Sequence, residues 1–415
     1  MTIPLMQPFA ALRPAAGRGQ DVAARPYDVL NFDEAMAGAA GRPWSFLHVS
    51  RAEIDLAPGA DPYANVVYAK AAENLERMVE AGVLIREAQR CYYCWRMTMD
   101  EHVQTGIAAA ASIAAYESNR IRRHELTRPD KETDRTRQIE AVGAHTGPVL
   151  VAYPDDAGVA AVLARVSSGA PDLEAVTDDG TRHQIWVIAD EATIDDLTRR
   201  FEAMDAVYIA DGHHRSAAAA RVAEDRLLAD PGQPEDAAYN TFLTVGFPAS
   251  EVVILDYNRV VRDLNGLAPS AFLSMVHTRF VVGETEGPAR PPDRGMFGMY
   301  LDGQWYQLML KDPPTADAGP VEHLDISLLS DRLLTPVLGI GDPRLDKRID
   351  FVGGGRGLEA LADRVDSGEW AVAFALYPTA LADLMAVADA GLVMPPKSTW
   401  FEPKLADGLV SYPLR

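Results

Sequence analysis

The run Tyr208-Ile209-Ala210-Asp211-Gly212-His213-His214-Arg215 decides how this chain is read. Residues 206–210 are a short apolar strand, and an alanine-rich helix follows directly over 216–228. Between them Gly212 supplies the freedom for a tight turn and lets backbone approach a ligand closely. The N-terminus of a helix leaves several N–H groups unpaired and carries a partial positive charge. His214 and Arg215 add donors in the first helical turn, so the segment suits an anion, a phosphate above all. A plainer reading is an aspartate cap with surface histidines. Four polar groups at the carboxyl end of one strand favour the ligand, because open α/β sheets bind ligands there. A metal is a third reading. Adjacent histidines on a regular element diverge, so an ion would find Asp211 and one histidine, and no dedicated metal site is assigned.

Outward from this run, helix-like and strand-like segments alternate, which indicates a mixed α/β protein. Val67, Ala71, Leu75, Met78 and Val79 recur at helical spacing, predicting a helix over 64–81 closed by Gly82. Strands over 91–99 and 103–115 form a hairpin turning near Asp100–Glu101, and the alanines and glycine of the second imply a close neighbour. Pro129 starts a helix that Gly143 ends. Residues 148–153 are a buried strand, 173–177 and 183–188 flank an Asp-Asp-Gly turn, and 190–204 is helical. The loop 230–235 is a candidate domain boundary, giving regions 1–235 and 236–415. Beyond it, strands are expected at 241–247, 252–255 and 371–377, a hairpin at 295–311, and helices at 326–334, 357–366 and 379–390.

Three further clusters carry polar chemistry. Arg122-Arg123-His124-Glu125 precedes Thr127, Lys131, Asp134 and Arg135. Charge runs usually mean a solvated face, but a loop on a scaffold often holds functional residues. A glutamate beside a histidine and several cations can serve as a general base. The ending Pro396-Lys397-Ser398-Thr399 with Pro403-Lys404 offers lysines to a phosphate, and its prolines lower the cost of ordering it. The alternative is an exposed basic strand. Arg25-Pro26-Tyr27-Asp28-Val29-Leu30-Asn31 has the same compact character.

Sixty acidic and 39 basic residues among 415 give a net charge of −21. That repels nucleic acid and anionic membranes but not an anion held in a cleft. No apolar run reaches the roughly 20 residues of a membrane span, and residues 1–18 lack the pattern of a secretory leader. The two cysteines, Cys91 and Cys94, form one C-x-x-C. A zinc ribbon needs a second pair, and residues three apart on a strand face opposite ways. Buried structural thiols in a cytoplasmic protein are expected.

The Asp211–Arg215 turn resembles the phosphate-binding turn of the ParB/sulfiredoxin-like superfamily. The order His124-Glu125, a helix from Arg135 to Ala144, Pro148 to Val151, then Asp211 to Arg215 is similar to that of its free-serine kinases. Over nearly its whole length the chain also resembles the bacterial family of unknown function numbered one thousand and fifteen. Pro26 to Val29, Arg123 to Glu125, Asp211 to Arg215, Leu324 to Leu328 and Met394 to Lys404 carry that resemblance. It implies a ParB/sulfiredoxin-like nucleotide-binding core within 1–235, elaborated with hairpins, and a C-terminal α/β region whose segment 394–404 returns to the site. It implies a small-molecule kinase passing a phosphoryl group from ATP or ADP, with Mg²⁺, to a hydroxyl acceptor, L-serine preferred. Glu125 would be the base. His124, His213 or His214 would orient the acceptor or stabilise charge. Asp211, Gly212, His213, His214, Arg215, Arg123, Lys397, Ser398 and Lys404 would bind the nucleotide and its phosphates. A metal-dependent phosphohydrolase using Asp211, His213 and His214, and a ParB-like nucleotide-binding regulator, are the alternatives. The compact kinases have a short link where this chain carries 155–205, and Ser216-Ala217 stands where a Tyr-Glu pair is common.

Overall fold

The computed structural model describes residues 3–232 and 234–415; Gln233, in the loop expected over 230–235, lies outside the described residues, as do Met1 and Thr2. Two units emerge, Met1–Val252 with Pro403–Arg415, and Val253–Glu402. Loop 230–235 is a connection inside the first unit, since the strand that follows it pairs on both edges with strands of that unit.

The strands that build the first unit's main sheet are β1 (Met6–Gln7), β2 (Tyr92–Met99), β3 (His102–Ser112), β4 (Ile121–Arg122), β5 (Val149–Tyr153), β6 (Leu173–Val176), β7 (Arg182–Ile188), β8 (Val207–Asp211) and β9 (Thr241–Pro248). Their order is β4-β8-β5-β9-β3-β2-β7-β6, with β1 also on β3. The pairs β8–β4 and β9–β5 are parallel and the others antiparallel, so the sheet is mixed. The helices are α1 (Asn65–Glu80), α2 (Pro129–Val142), α3 (Ala157–Val166), α4 (Glu191–Glu202) and α5 (His213–Ala229). Pro129 stands in the first turn of α2, and Gly143 closes it at φ +68°, as the proline-start and glycine-stop pattern predicts. One contiguous core joins Val149, Val151, Leu197, Phe201, Val207 and Ile209.

Small residues on β3 have a steric cause. A Cβ on Gly106 would lie 2.1 Å from the carbonyl oxygen of Gly246 on β9. The second hairpin strand stops at Ser112, three residues before the expected end, because the Ser112 side chain caps a short helix, Ile113–Glu117. The stretch 155–205 places α3, α4 and the β6–β7 hairpin, and β7 extends the same sheet beyond β2. Cys91 and Cys94 are buried and unbonded to each other, and burial pushes the Cys94 thiol up to about 12.

The second unit is built on an antiparallel sheet ordered Phe280–Thr285, Gln304–Leu310, Met296–Leu301, Val372–Leu376, Tyr257–Val261 and Ile349–Gly353. The helix expected over 326–334 is α-helical only over Asp325–Leu329 and continues as a π turn over Ser330–Leu334. The molecule is thus a mixed α/β protein. No helix of the described residues is long and apolar enough to cross a membrane.

Candidate active site

The parallel pairing of β4 with β8 assembles the site. Val207 lies opposite Ile121 and Tyr208 opposite Arg122, so both strands end on the same edge. The residues just past β4 are Arg123-His124-Glu125, and those closing β8 are Asp211-Gly212-His213. Gly212 holds φ +100°, in the left-handed region, and α5 begins at once. The helix therefore starts three residues earlier than its alanine run implies, and His213, His214 and Arg215 form its first turn.

Two imidazoles meet here. His124 and His213 lie edge to face with ring centroids 4.4 Å apart. They are 2 % and 5 % exposed. Nε2 of His213 makes no hydrogen bond, and His124 has no well-formed one, its ring meeting only the backbone of Ile209. Burial lowers His124 to about 4, and burial together with the neighbouring His124 lowers His213 well below its ordinary value. Both rings are therefore neutral near pH 7. Glu125 Oε2 is 3.8 Å from His213 Nδ1, and the Glu125 side chain is 44 % exposed. A half-solvated carboxylate beside a neutral imidazole can accept a proton.

His214 turns elsewhere, as neighbouring helical side chains must. Its Nε2 accepts from the Arg128 backbone N–H at 3.1 Å. Arg123 lays its guanidinium 4.6 Å from the centre of the Tyr116 ring and donates to its hydroxyl at 3.3 Å. Lys397 and Ser398 belong to the second unit. There Lys397 holds φ +59°, its Nζ lies 5.7 Å from the Tyr257 ring centre, and its carbonyl accepts from Arg259. Ser398 donates to the Pro395 carbonyl and accepts from Thr379 at its own carbonyl.

Below the turn, Asp211 is flanked by cations, with Oδ2 3.3 Å from Lys404 Nζ and 3.5 Å from Arg215 Nη2. Burial alone would raise this carboxyl, yet Lys404 and Arg215 hold it well below the usual carboxylate range. Arg215 is 9 % exposed. Burial works against its charge, and Asp28 and Asp211 sustain it. A small cleft of about 30 Å³ opens beside Arg215, lined among others by Tyr27, Arg135, His145 and Asp407. Arg135 stacks on Tyr27 at 3.9 Å from the ring centre and pairs with Asp134 at 2.7 Å. Arg215 Nε, His145 Nε2 and Asp407 Oδ1 are buried without hydrogen-bond partners. Sequence reasoning missed His145 and Asp407. Neither sits in a polar cluster of the sequence, and only the folded chain brings either to the cleft beside Arg215.

Burial pushes Asp407 up to about 7, against the pull of Arg215. Its folded value exceeds its unfolded one, near 3.9. Between those values the unfolded chain releases a proton that the folded chain keeps, so this group's contribution falls as pH rises and levels off above about 7. Asp407→Asn removes this dependence. Its stability is expected to gain on the wild type progressively from about pH 4 to about pH 7, by roughly 2–4 kcal/mol at completion, read from thermal melts of both proteins across that range. Parallel curves for the two proteins would show that Asp407 ionises normally.

A family model described as a protein of unknown function (DUF1015) matches residues 6–327. The chain belongs to that family. No curated protein matches it. Among solved structures, a free serine kinase in complex with AMP is 12% identical with a TM-score of 0.33, over 73% of this chain and 92% of that one. SbnI with C-terminal truncation from Staphylococcus aureus is 12% identical with a TM-score of 0.36, over 72% and 85%. A conserved hypothetical protein from Pyrococcus furiosus is 13% identical with a TM-score of 0.31, over 73% and 95%.

Proposed function

We propose that this member of the DUF1015 family is a small-molecule kinase that moves the terminal phosphoryl group of a nucleotide to a hydroxyl compound, L-serine being the preferred acceptor. The observation that carries the reading is the Glu125 carboxylate 3.8 Å from His213 at the N-terminus of a 17-residue helix. Phosphoryl transfer demands positioning and charge neutralisation more than covalent chemistry from the protein. The Gly212–His214 backbone offers N–H groups and the helix dipole to the phosphates. Glu125 takes the proton of the attacking hydroxyl, whose oxygen bonds to the terminal phosphorus as the bond to the leaving nucleotide oxygen breaks. Neutral His213 orients the hydroxyl. Lys404 and Arg215 set a positive potential beneath the turn, with Asp211 locking their positions.

Mg²⁺ needs oxygen ligands and usually keeps phosphate and water. Asp211, already balanced by two cations, is a poor ligand for it, so Mg²⁺ would be held chiefly by phosphate oxygens and water and would neutralise charge on the phosphates. A hydrolase built on Asp211, His213 and His214 loses support from the same geometry, because Lys404 and Arg215 hold Asp211 and His214 faces Arg128. The motif order shared with free-serine kinases supports both the nucleotide and the acceptor.

Calorimetric titration with ADP tests the binding half. The full chain is expected to bind ADP, and Lys404→Met to weaken it by about tenfold, the cost of losing one cation that acts on phosphate. No heat of binding from the wild type would contradict the assignment of the turn.

A further inference from the structure

We infer that His124, Glu125 and His213 together form a binding site for a divalent first-row transition-metal ion. Among the described residues they are a set of histidine and carboxylate side chains grouped closely enough to share one ion. One ligand atom from each lies within 4.8 Å of the others. Tetrahedral coordination at about 2.0–2.1 Å requires ligand atoms about 3.4 Å apart. Closing that difference takes a small rotation of Glu125, which already lies 3.8 Å from His213 Nδ1. The imidazoles stand nearly perpendicular, at 88°.

A second observation points independently to a ligand. Nε2 of His213 is buried and unpartnered, and the His124 ring has the Ile209 backbone beside it as a hydrogen-bond partner for at most one of its two buried nitrogens, although buried polar atoms nearly always find a partner. A metal ion is a partner that needs a bare nitrogen lone pair. Two imidazoles and one carboxylate select zinc, iron, nickel or copper over Mg²⁺, which wants an oxygen shell. The set differs from the one first expected, because Asp211 is engaged by cations and His214 faces away.

Glu125 is also the base in the phosphotransfer reading, so metal is measured directly, without nucleotide and without turnover. Failure of either claim then leaves the other standing. The full chain, stripped with a chelator, is titrated with ZnCl₂ by calorimetry. Uptake of about one equivalent is expected, weakened at least about tenfold in His124→Ala and in Glu125→Gln, and unchanged in His277→Ala, an exposed histidine of the second unit. No saturable uptake, or uptake equal in the wild type and both ligand variants, overturns the site. If His124→Ala fails to fold, Glu125→Gln carries the comparison, joined by Co²⁺ absorption on the unsubstituted chain. Intense visible bands of a low-coordinate site support the proposal; the weak bands of the hydrated ion alone overturn it.

Discussion

Glu125→Gln is expected to lower turnover by about 10²–10⁴, the usual worth of a general base, while leaving the fold and nucleotide affinity nearly unchanged. The side chain is 44 % exposed and stands beside a histidine rather than in the core, so its amide replacement is accommodated without rearrangement. Glutamine keeps the shape but cannot take the acceptor's proton. The loss therefore falls on kcat, with little change in KM for the nucleotide. Rapid-quench turnover together with ADP titration on the same variant separates the two. A variant with normal turnover and a bound substrate would remove Glu125 from the chemistry.

Arg215→Met is expected to cost about 1–3 kcal/mol of stability, less than breaking a fully buried ion pair, because Asp211 is a third exposed and keeps Lys404 at 3.3 Å. Arg215 is 9 % exposed, pairs with Asp211 at 3.5 Å, and is held charged by Asp28 and Asp211 against its burial. Methionine restores most of the volume, so the loss measures charge rather than a cavity. Hydrogen exchange at the amides of β8 and α5 reads the opening free energy of this region directly, which suits a chain of two units better than one global melt. Adding Asp211→Asn to Arg215→Met is expected to cost less than the sum of the two single losses, because the Arg215–Asp211 attraction can be lost only once. Strict additivity of the two substitutions would show that the pair is uncoupled.

The same residues show why part of this architecture was legible in the sequence and part was not. Local signals survive translation into structure. Pro129 and Gly143 bound α2 as read, and the hairpins at Asp100, Gly180 and Gly303 turn at positive φ where short-range chemistry places them. The identity of the turn at Asp211–Arg215 was also local, since strand, glycine and helix are contiguous. What brings His124 to His213 is not local. It depends on β4 lying parallel beside β8 across 84 intervening residues, and nothing in either segment specifies that register. The start of α5 was misplaced by three residues because alanine content marks helix interiors, whereas Gly212 sets the cap through backbone conformation. Asp407 carried no signal at all. An aspartate in an apolar stretch looks like a surface residue until the fold buries it beside Arg215.

Phosphotransfer to a small hydroxyl compound is the central claim, and phosphorus NMR of the full chain with ATP, Mg²⁺ and a pool of hydroxyl compounds including L-serine tests it most directly. The account predicts a phosphomonoester resonance that appears with L-serine, is absent without it, and is lost in Glu125→Gln. Inorganic phosphate released regardless of acceptor, or ATP left unchanged while ADP binds, would contradict it, the first in favour of a hydrolase and the second of a nucleotide-binding protein without turnover.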